Sequence, residues 1–356
     1  MTRWQDRRLL DLLEIELPII QAPMAGSDSP ALAAEVSSAG GLGSLAGALL
    51  SPDTLRDGVQ AIRAITPRPI NLNFFCHTMT AAADPQQVER WKQFLRPHYQ
   101  RLGLDIENVP AAPLRMPFDA AACAVVEDMK PAVVSFHFGL PDPALVQRLK
   151  ARGIKIFSSA TSVAEARWLE ARGCDAIIAQ GSEAGGHRAM FLEQAVETQT
   201  GTMALLPQVV KAVSVPVISA GGIMDGRSIA AALALGACAV QLGTAYLFCP
   251  EANISPLYRK ALAETADNGT AITNLFSGRP ARGIANRFVC EAGPMSDAAP
   301  AFPHAATLIA PLRAASEKAG STDYMQMWAG QAAGLGRAMP AFELTRKLGE
   351  EAVAGE

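Results

Sequence analysis

A glycine-rich segment that ends in a histidine is the first candidate for chemistry in this sequence. The residues AQGSEAGGHR, Ala179–Arg188, follow the apolar run CDAIIA, which predicts a buried strand. Gly181, Gly185 and Gly186 would let the backbone approach a flat ligand closely, because glycine has no Cβ. His187 could then take up a proton at neutral pH, since a histidine ordinarily has a pKa of about 6.5. A tight turn that carries a surface histidine is the alternative interpretation.

Two further strand ends carry glycines and could bind a phosphate. They are AGGI and QLGT, and barrels often bind a phosphate between their last two strand–helix loops. Backbone N–H groups, a threonine hydroxyl and a helix N-terminus would hold the anion. Ordinary turns into helices are the alternative, and a phosphate site would serve either a phosphorylated substrate or a flavin mononucleotide. The candidate residues are Ala220, Gly221, Gly222, Gln241, Leu242, Gly243 and Thr244.

A flavin ring would also need amide groups as hydrogen-bond partners and a flat, largely apolar surface to pack against. Asn73 and Gln180 stand at the ends of predicted strands and could offer their amides. Ala22, Pro23 and Met24 follow the first predicted strand and could supply a close apolar backbone face. These residues together favour a flavin, whereas Asn73 alone would fit an ordinary turn amide equally well.

A second histidine, His137, lies at the end of the strand-like run VSFHFG. It could act on a substrate, or it could be a core histidine that is hydrogen-bonded to the backbone. No H-x-x-x-H spacing or paired carboxylate–histidine spacing is present, so we expect no metal. The six cysteines lie far apart and contain no C-x-x-C pair, which argues against both a zinc site and a disulfide scaffold.

The elements that must position these residues alternate along the chain. Eight short apolar strands are separated by amphipathic helices, which predicts an α/β fold of the TIM (βα)8 barrel type. An open doubly wound sheet is the runner-up, but QAPMAGSDSP lacks the G-x-G-x-x-G that such a sheet would carry after its first strand. We expect the barrel at residues 1–250, an insertion after strand 3 at about 77–117, and a C-terminal helical extension at 251–356 packed on the barrel.

Composition excludes several classes of partner. The chain has 356 residues, 49% of them hydrophobic, and a net charge of −3, so it can bury a large core. No cluster of Lys and Arg offers a surface for nucleic acid. The N-terminal segment lacks the apolar core of a signal peptide, and no apolar run is long enough to span a membrane. We therefore expect a cytoplasmic protein that binds neither membranes nor nucleic acid. The sequence does not show the oligomeric state, and a homodimer is one possibility.

At this point the motifs match a known family. The chain resembles the nitronate monooxygenases, formerly called 2-nitropropane dioxygenases, and its SFHFG stretch is similar to the first class of that family. The resemblance implies an FMN-dependent TIM barrel that oxidises alkyl nitronates, such as propionate 3-nitronate, with O2 to a carbonyl compound and nitrite, a detoxification of nitroalkanes. The matching stretches are QAPMAG, AAEVSSAGGLGSL, NLNFF, SFHFG, AQGSEAGGHR, PVISAGGI, LGACAVQLGTAY and MWAGQ.

The resemblance also implies roles for individual residues. His187 matches the catalytic base of the family, and His137 matches a histidine of the substrate pocket. The chain departs from the family where it has LNFF instead of V-N-L-F, and where Ala189-Met190 replaces a further glycine. Related proteins on the same barrel are NADH:quinone reductases or enoyl reductases, and a non-redox barrel enzyme acting on a phosphorylated metabolite is the other alternative. FMN is expected at Ala22, Pro23, Met24, Asn73, Gln180, Gly185, Gly186, Ala220, Gly221, Gly222, Gln241, Leu242, Gly243 and Thr244.

Overall fold

Eight parallel strands form the central sheet of the computed structural model, which describes residues 4–79, 83–110 and 114–354. The strand order is β1-β9-β8-β6-β5-β4-β3-β2, and an isolated parallel bridge between Ile20 and Leu42 joins the two ends of the sheet. The sheet therefore closes into a barrel, which confirms the predicted (βα)8 fold. Its strands are β1 (Ile19–Gln21), β2 (Gly43–Ala46), β3 (Ile70–Phe75), β4 (Val133–His137), β5 (Lys155–Ala160), β6 (Ala176–Gln180), β8 (Val217–Ala220) and β9 (Ala239–Leu242).

Helices separate the strands, and several begin at caps that are visible in the sequence. The Ser29 and Ser51 hydroxyls each accept a hydrogen bond from a backbone N–H three residues on, and a proline follows each serine at the first helical position. The helices are α1 (Arg8–Leu13), α2 (Pro30–Ser38), α3 (Pro52–Ile65), α4 (Pro85–Arg101), α5 (Ala120–Met129), α6 (Pro143–Ala151), α7 (Val163–Ala171), α8 (Thr202–Ala212), α9 (Gly226–Ala234), α10 (Thr244–Leu247), α11 (Pro256–Ala263), α12 (Arg287–Ala292), α13 (Ala305–Lys318) and α14 (Ala341–Ala354).

The C-terminal part of the chain combines helices with a small sheet. The run TAYL after Gly243 forms the short helix α10, and helices α11 to α14 follow as expected. Strands β10 (Thr270–Thr273) and β11 (Ala281–Ile284) form an antiparallel sheet with β7 (Gly186–His187), in the order β10-β11-β7. This small sheet attaches the extension to the glycine-rich segment.

The expected insertion at 77–117 packs against the C-terminal segment. Residues 80–82 and 111–113 lie outside the described residues, and helix α4 is the main element of the rest. Side chains of α4 share a second hydrophobic core, separate from the barrel core, with residues that follow β10. Members of this core include Trp91, Leu95, Tyr99, Leu275, Phe276, Phe288 and Tyr324. The division into a barrel at 1–250 and an extension at 251–356 stays a prediction.

Within the described ranges, no helix combines the length and the apolar character that crossing a membrane requires.

Candidate active site

A large cavity opens where the barrel strands end at their carboxyl termini, the face that carries chemistry in barrels. Its volume is about 1300 Å³, a figure that includes the open space at its mouth. The predicted residues that line it are Ala22, Pro23, Met24, Asn73, His137, Gln180, Gly185, Gly186, His187, Ala220, Gly221, Gly222, Gln241, Gly243 and Thr244.

Leu242 is the one predicted site residue that does not line this cavity. Its side chain is only 1% exposed and belongs to the barrel core. Side chains alternate between the two faces of a strand, so Leu242 points away from the site when its neighbour Gln241 lines it. Its backbone carbonyl still supports the site, because it accepts a hydrogen bond of 2.8 Å from the Ala22 N–H.

Two side chains fix the glycine-rich segment above β6. The Gln180 amide donates to the His187 carbonyl at 3.0 Å and accepts from the Ala189 N–H at 2.9 Å. Arg188 is fully buried and donates to the carbonyls of Gly181 at 2.6 Å and Gln180 at 2.8 Å. The Gln180 amide, expected to contact a flavin ring, therefore serves first to hold the loop that carries His187.

Hydrogen bonds define which nitrogen of His187 is free. His187 Nε2 lies 2.9 Å from Ser277 Oγ, and the Ser277 hydroxyl donates to the Arg279 carbonyl at 3.2 Å. Because Ser277 has one hydroxyl hydrogen, its oxygen accepts from Nε2–H, and the lone pair of His187 lies on Nδ1. Among the described residues, no partner bonds to Nδ1. Nδ1 is therefore the atom of His187 that can accept a proton.

The electrostatic surroundings keep His187 neutral. Burial lowers the pKa of His187 well below its usual value of 6.5, and the positive charges of Arg115 and Arg279 lower that pKa further. Burial also lowers the pKa of His137 to about 4, and His137 Nε2 donates to the His187 carbonyl at 3.1 Å. Both imidazoles are therefore uncharged at neutral pH, so His187 is ready to act as a base, and His137 positions its backbone.

The backbone that follows β8 and β9 is a second part of the cavity wall, and its geometry suits a phosphate. Gly221 and Gly222 have φ angles of +116° and +73°, which side-chain-bearing residues rarely adopt. A Cβ at Gly221 would also lie only 3.0 Å from Thr202 Oγ1. Thr244 Oγ1 accepts the Gly330 N–H at 2.9 Å and keeps its own hydrogen for a ligand. The positive φ angles at both positions and the close packing at Gly221 favour glycine there, and successive glycines in such conformations can present backbone N–H groups to an anion.

One buried polar atom in the cavity wall has no hydrogen-bond partner among the described residues. Gln241 Oε1 is enclosed but accepts no hydrogen bond from the described residues. An unpaired buried acceptor is costly, so its presence in a wall favours a bound group that donates to it. Asn73 donates its amide to Ser135 Oγ at 2.9 Å and to the Ser135 carbonyl at 3.0 Å. This fixes Asn73 in the wall of the same cavity.

The C-terminal segment contributes site residues that motif reasoning did not assign. Trp328 and Gly330, both in the MWAGQ stretch, line the cavity, and Ser277 orients His187 from a distance of 90 residues in sequence. A Cβ at Gly185 would come within 2.7 Å of Gly330 N, so the two segments are in direct contact. The MWAGQ match was a signal for Trp328 and Gly330, whereas no sequence pattern pointed to Ser277.

A buried carboxyl group holds the Ala22–Met24 face in place. Asp28 Oδ2 accepts hydrogen bonds from the N–H groups of Met24 and Ala46, each at 2.9 Å. Burial raises the pKa of Asp28 from 3.8 to about 7, against the opposite effect of these hydrogen bonds. Between those two pH values the unfolded chain releases a proton that the folded protein retains. The contribution of Asp28 to folding stability therefore falls as pH rises through this window and levels off above it.

We expect the variant Asp28→Asn to gain stability relative to the unaltered protein as pH increases from about 4 to about 7, the window given by the raised pKa. Asparagine stays neutral and can still accept both N–H groups, so it escapes the cost of burying a charge. Urea unfolding midpoints at several pH values would measure this difference. Asp53→Asn, at a side chain that is 93% exposed, is the matched control. A stability difference that does not change with pH would contradict the prediction.

The barrel, the cavity at the carboxyl ends of its strands and the neutral histidine are features of a barrel enzyme. A model of the nitronate monooxygenase family matches residues 6–351. The chain is 46% identical over 351 residues to nitronate monooxygenase of Paraburkholderia phytofirmans, which covers 97% of this chain and 94% of that protein. It is 42% identical over 349 residues to the nitronate monooxygenase of Pseudomonas aeruginosa, with coverages of 97% and 98%.

A solved structure gives the same result. Nitroalkane oxidase from Streptomyces ansochromogenes superposes with a TM-score of 0.88 at 39% identity, and the match covers 98% of both chains. This chain belongs to the nitronate monooxygenase family and is an oxidoreductase. The resemblance found in its motifs is thereby confirmed.

Proposed function

We propose that this protein is an FMN-dependent nitronate monooxygenase that oxidises alkyl nitronates with O2 to a carbonyl compound and nitrite. Membership of the family supports the reaction. The observation that carries the proposal is a neutral histidine, His187, held by Ser277 in a cavity that is also lined by the glycines that follow β8 and β9. A base and a phosphate-binding end in one cavity are what a flavin oxidase of this kind needs.

The residues present fit FMN. Gly221, Gly222, Gly243 and Thr244 would hold its phosphate through backbone N–H groups and the Thr244 hydroxyl, because all four residues line the cavity. The unpaired Gln241 Oε1 would accept a hydrogen bond from a ring N–H. Bound FMN would supply the oxidant for the nitronate carbon and pass the electrons to O2.

Ala22, Pro23, Met24 and Asn73 would line the ring. Ala22 to Met24 form a close apolar face, fixed by Asp28 through the Met24 N–H. The contacts of Asn73 with Ser135 and of Gln180 with the His187 segment keep both amides at fixed positions.

The charges around the cavity favour an anionic substrate. Arg115 lines the cavity, and Arg279 lies close enough to act on His187 electrostatically. Among the described residues, neither arginine forms an ion pair with a carboxylate, so their positive charge remains available to a nitronate. For a neutral nitroalkane, His187 Nδ1 would first remove the α-proton, which converts that substrate into the anion.

One experiment tests this function against its alternatives. The purified protein should be yellow, with the absorbance near about 450 nm expected of an oxidised flavin. Propionate 3-nitronate should bleach this band without oxygen, and with oxygen it should cause O2 uptake and nitrite release. Rapid bleaching by NADH, with no response to nitronate, would favour a quinone or enoyl reductase instead. A colourless protein would favour a non-redox enzyme acting on a phosphorylated metabolite.

The homodimer and the cytoplasmic location stay predictions from the sequence. Light scattering coupled to size-exclusion chromatography would measure the first, and cell fractionation would measure the second.

A further inference from the structure

Glu183 connects the segment that carries His187 to helix α8. It lies shortly before His187, is half-buried and lines the active-site cavity. Both of its carboxylate oxygens lie 2.9 Å from the backbone N of Thr202, the first residue of α8, and Oε2 lies 2.8 Å from Thr202 Oγ1. The N-cap residue of α8 is Gly201, which has no side chain that could accept these hydrogen bonds. Glu183 therefore caps α8 from outside the helix.

Two glycines make room for the contact between Glu183 and Thr202. A Cβ at Gly201 would lie 2.9 Å from Glu183 Oε1, closer than real Cβ atoms approach, and a Cβ at Gly181 would collide with Thr202 Oγ1. A side chain at either position would displace the carboxylate or the hydroxyl. The backbone on both sides of this pair is therefore fitted to their contact.

The same pair of side chains reaches the glycine turn that follows β8. Thr202 Oγ1 lies 2.9 Å from the Gly221 carbonyl, so its one hydroxyl hydrogen can be donated to that carbonyl or to Glu183. A Cβ at Gly222 would lie 3.5 Å from the Glu183 Cβ, an ordinary van der Waals distance, so the glutamate side chain lies directly beside this turn. Glu183 thus joins the part of the wall that carries His187 to the glycines proposed to bind a phosphate.

The backbone around Glu183 is held from three separate segments. The Glu183 carbonyl accepts a hydrogen bond of 3.0 Å from the Gln331 N–H. Arg282 of β11 donates to the carbonyl of the preceding residue, Ser182, at 2.9 Å, and the Ser182 N–H donates to the Thr200 carbonyl at 2.9 Å. Glu183 can therefore serve as a fixed point for the turn beside it.

The carboxylate also decides which backbone donors are open to a phosphate. It occupies the N–H and hydroxyl groups at the start of α8, the helix end that would otherwise attract an anion. A carboxylate also repels a phosphate nearby. We therefore expect a phosphate at the Gly221–Gly222 turn and at Thr244, and α8 contributes to that site only by holding the turn.

We propose that Glu183 and Thr202 are positioning residues for the cofactor, which hold the Gly221–Gly222 turn in the shape that binds the FMN phosphate and fix it relative to the segment that carries His187. This rests on the proposed function. The pair acts through the backbone of the turn and does not need to contact the reacting atoms. FMN and riboflavin share one ring system and differ in the phosphate. The pair should therefore affect the affinity for FMN and leave the affinity for riboflavin almost unchanged.

Flavin affinity tests this proposal. We would measure the Kd of FMN and of riboflavin from the quenching of flavin fluorescence, on protein freed of bound flavin. Glu183→Ala should raise the Kd of FMN by about tenfold or more, the order expected when hydrogen bonds to a charged group are lost, and should change the Kd of riboflavin little. Thr202→Val, which leaves the charge in place, should show the same selective loss to a smaller extent. Glu183→Gln should keep most of the affinity for FMN, because its amide can still accept from the Thr202 N–H and donate to Thr202 Oγ1.

Glu170→Ala is the matched control. Glu170 of α7 is also half-buried and accepts two backbone N–H groups, from Ser214 at 2.6 Å and from Val215 at 3.2 Å, but it does not line the cavity. This control should leave both Kd values as they are. Urea unfolding would check that each variant folds, and Thr202→Val keeps the test decisive if Glu183→Ala does not. Equal weakening of FMN and riboflavin, or an unchanged Kd of FMN in both Glu183→Ala and Thr202→Val, would overturn the proposal.

Inorganic phosphate separates this positioning role from the proposed function. The phosphorus NMR resonance of phosphate should broaden on the flavin-free protein and should broaden less on Glu183→Ala. If the unaltered protein binds no flavin but this difference is found, the proposed function fails and the positioning role stands for another phosphate-bearing ligand. If FMN binds equally to all variants, the positioning role fails and the proposed function stands. If the unaltered protein binds neither flavin nor phosphate, both are rejected.

Discussion

The variant His187→Asn is expected to lower kcat/KM for neutral nitroalkanes by about 10²–10⁴-fold, the usual contribution of general base catalysis. Asparagine is polar and smaller than histidine, but it has no basic nitrogen that could take up the α-proton. Preformed nitronates have already lost the α-proton, so their oxidation should fall much less. The rate of nitrite release, measured under identical conditions with nitroethane and with ethyl nitronate, gives kcat/KM for each substrate.

The test depends on comparing the two substrates. If kcat/KM falls equally for nitroethane and for ethyl nitronate, His187 is not the base and has a binding role only. Ser277→Ala is the companion variant, because it keeps the imidazole but removes the group that orients it. Ser277→Ala should lower kcat/KM for nitroethane less than His187→Asn does.

The low pKa of His187 also sets a pH dependence. Since burial and two arginines hold that pKa well below 6.5, the imidazole stays unprotonated throughout the neutral range. Loss of nitroalkane activity through protonation of His187 should therefore begin only at a pH well below 6.5. A decline already centred on 6.5 would mean that the base is not the buried His187.

The variant Arg188→Met is expected to destabilise the protein by several kcal/mol and to release the flavin. Arg188 is fully buried and donates to the carbonyls of Gly181 and Gln180 and, at 3.0 Å, to Gln199 Oε1. Each buried acceptor left without a donor costs about 1–3 kcal/mol. The same carbonyls belong to the loop that carries His187, so the site should lose its shape as the fold loses stability.

Urea unfolding and flavin absorbance after gel filtration measure the two effects of this change. Arg167→Met removes an exposed arginine from α7 and is the matched control. Arg188→Lys should recover only part of the stability, because one ammonium cannot reproduce the geometry of a planar guanidinium. A change below about 1 kcal/mol, with full flavin content, would show that the loop does not depend on Arg188.

The sequence by itself determined the barrel and most of the cavity. Strand and helix periodicities are local, and parallel strands place their carboxyl ends on one face, so Asn73, Gln180, Gly221 and Thr244 had to meet there. Of the residues that the sequence assigned to the site, Leu242 alone does not line the cavity. Side chains alternate between the two faces of a strand, and that of Leu242 points into the barrel core.

Tertiary structure decided what surrounds the histidine. Strand β7 pairs with β11, and Ser277 reaches His187 from 90 residues away. Arg115, which forms no ion pair with any of the described residues, lines two cavities, one of which α13 helps to form. These contacts join segments that are far apart in the chain. Hydrophobic periodicity, in contrast, predicts only the structure of one helix or strand at a time. The charge and protonation state of the site therefore follow from packing between distant segments, which local sequence does not encode.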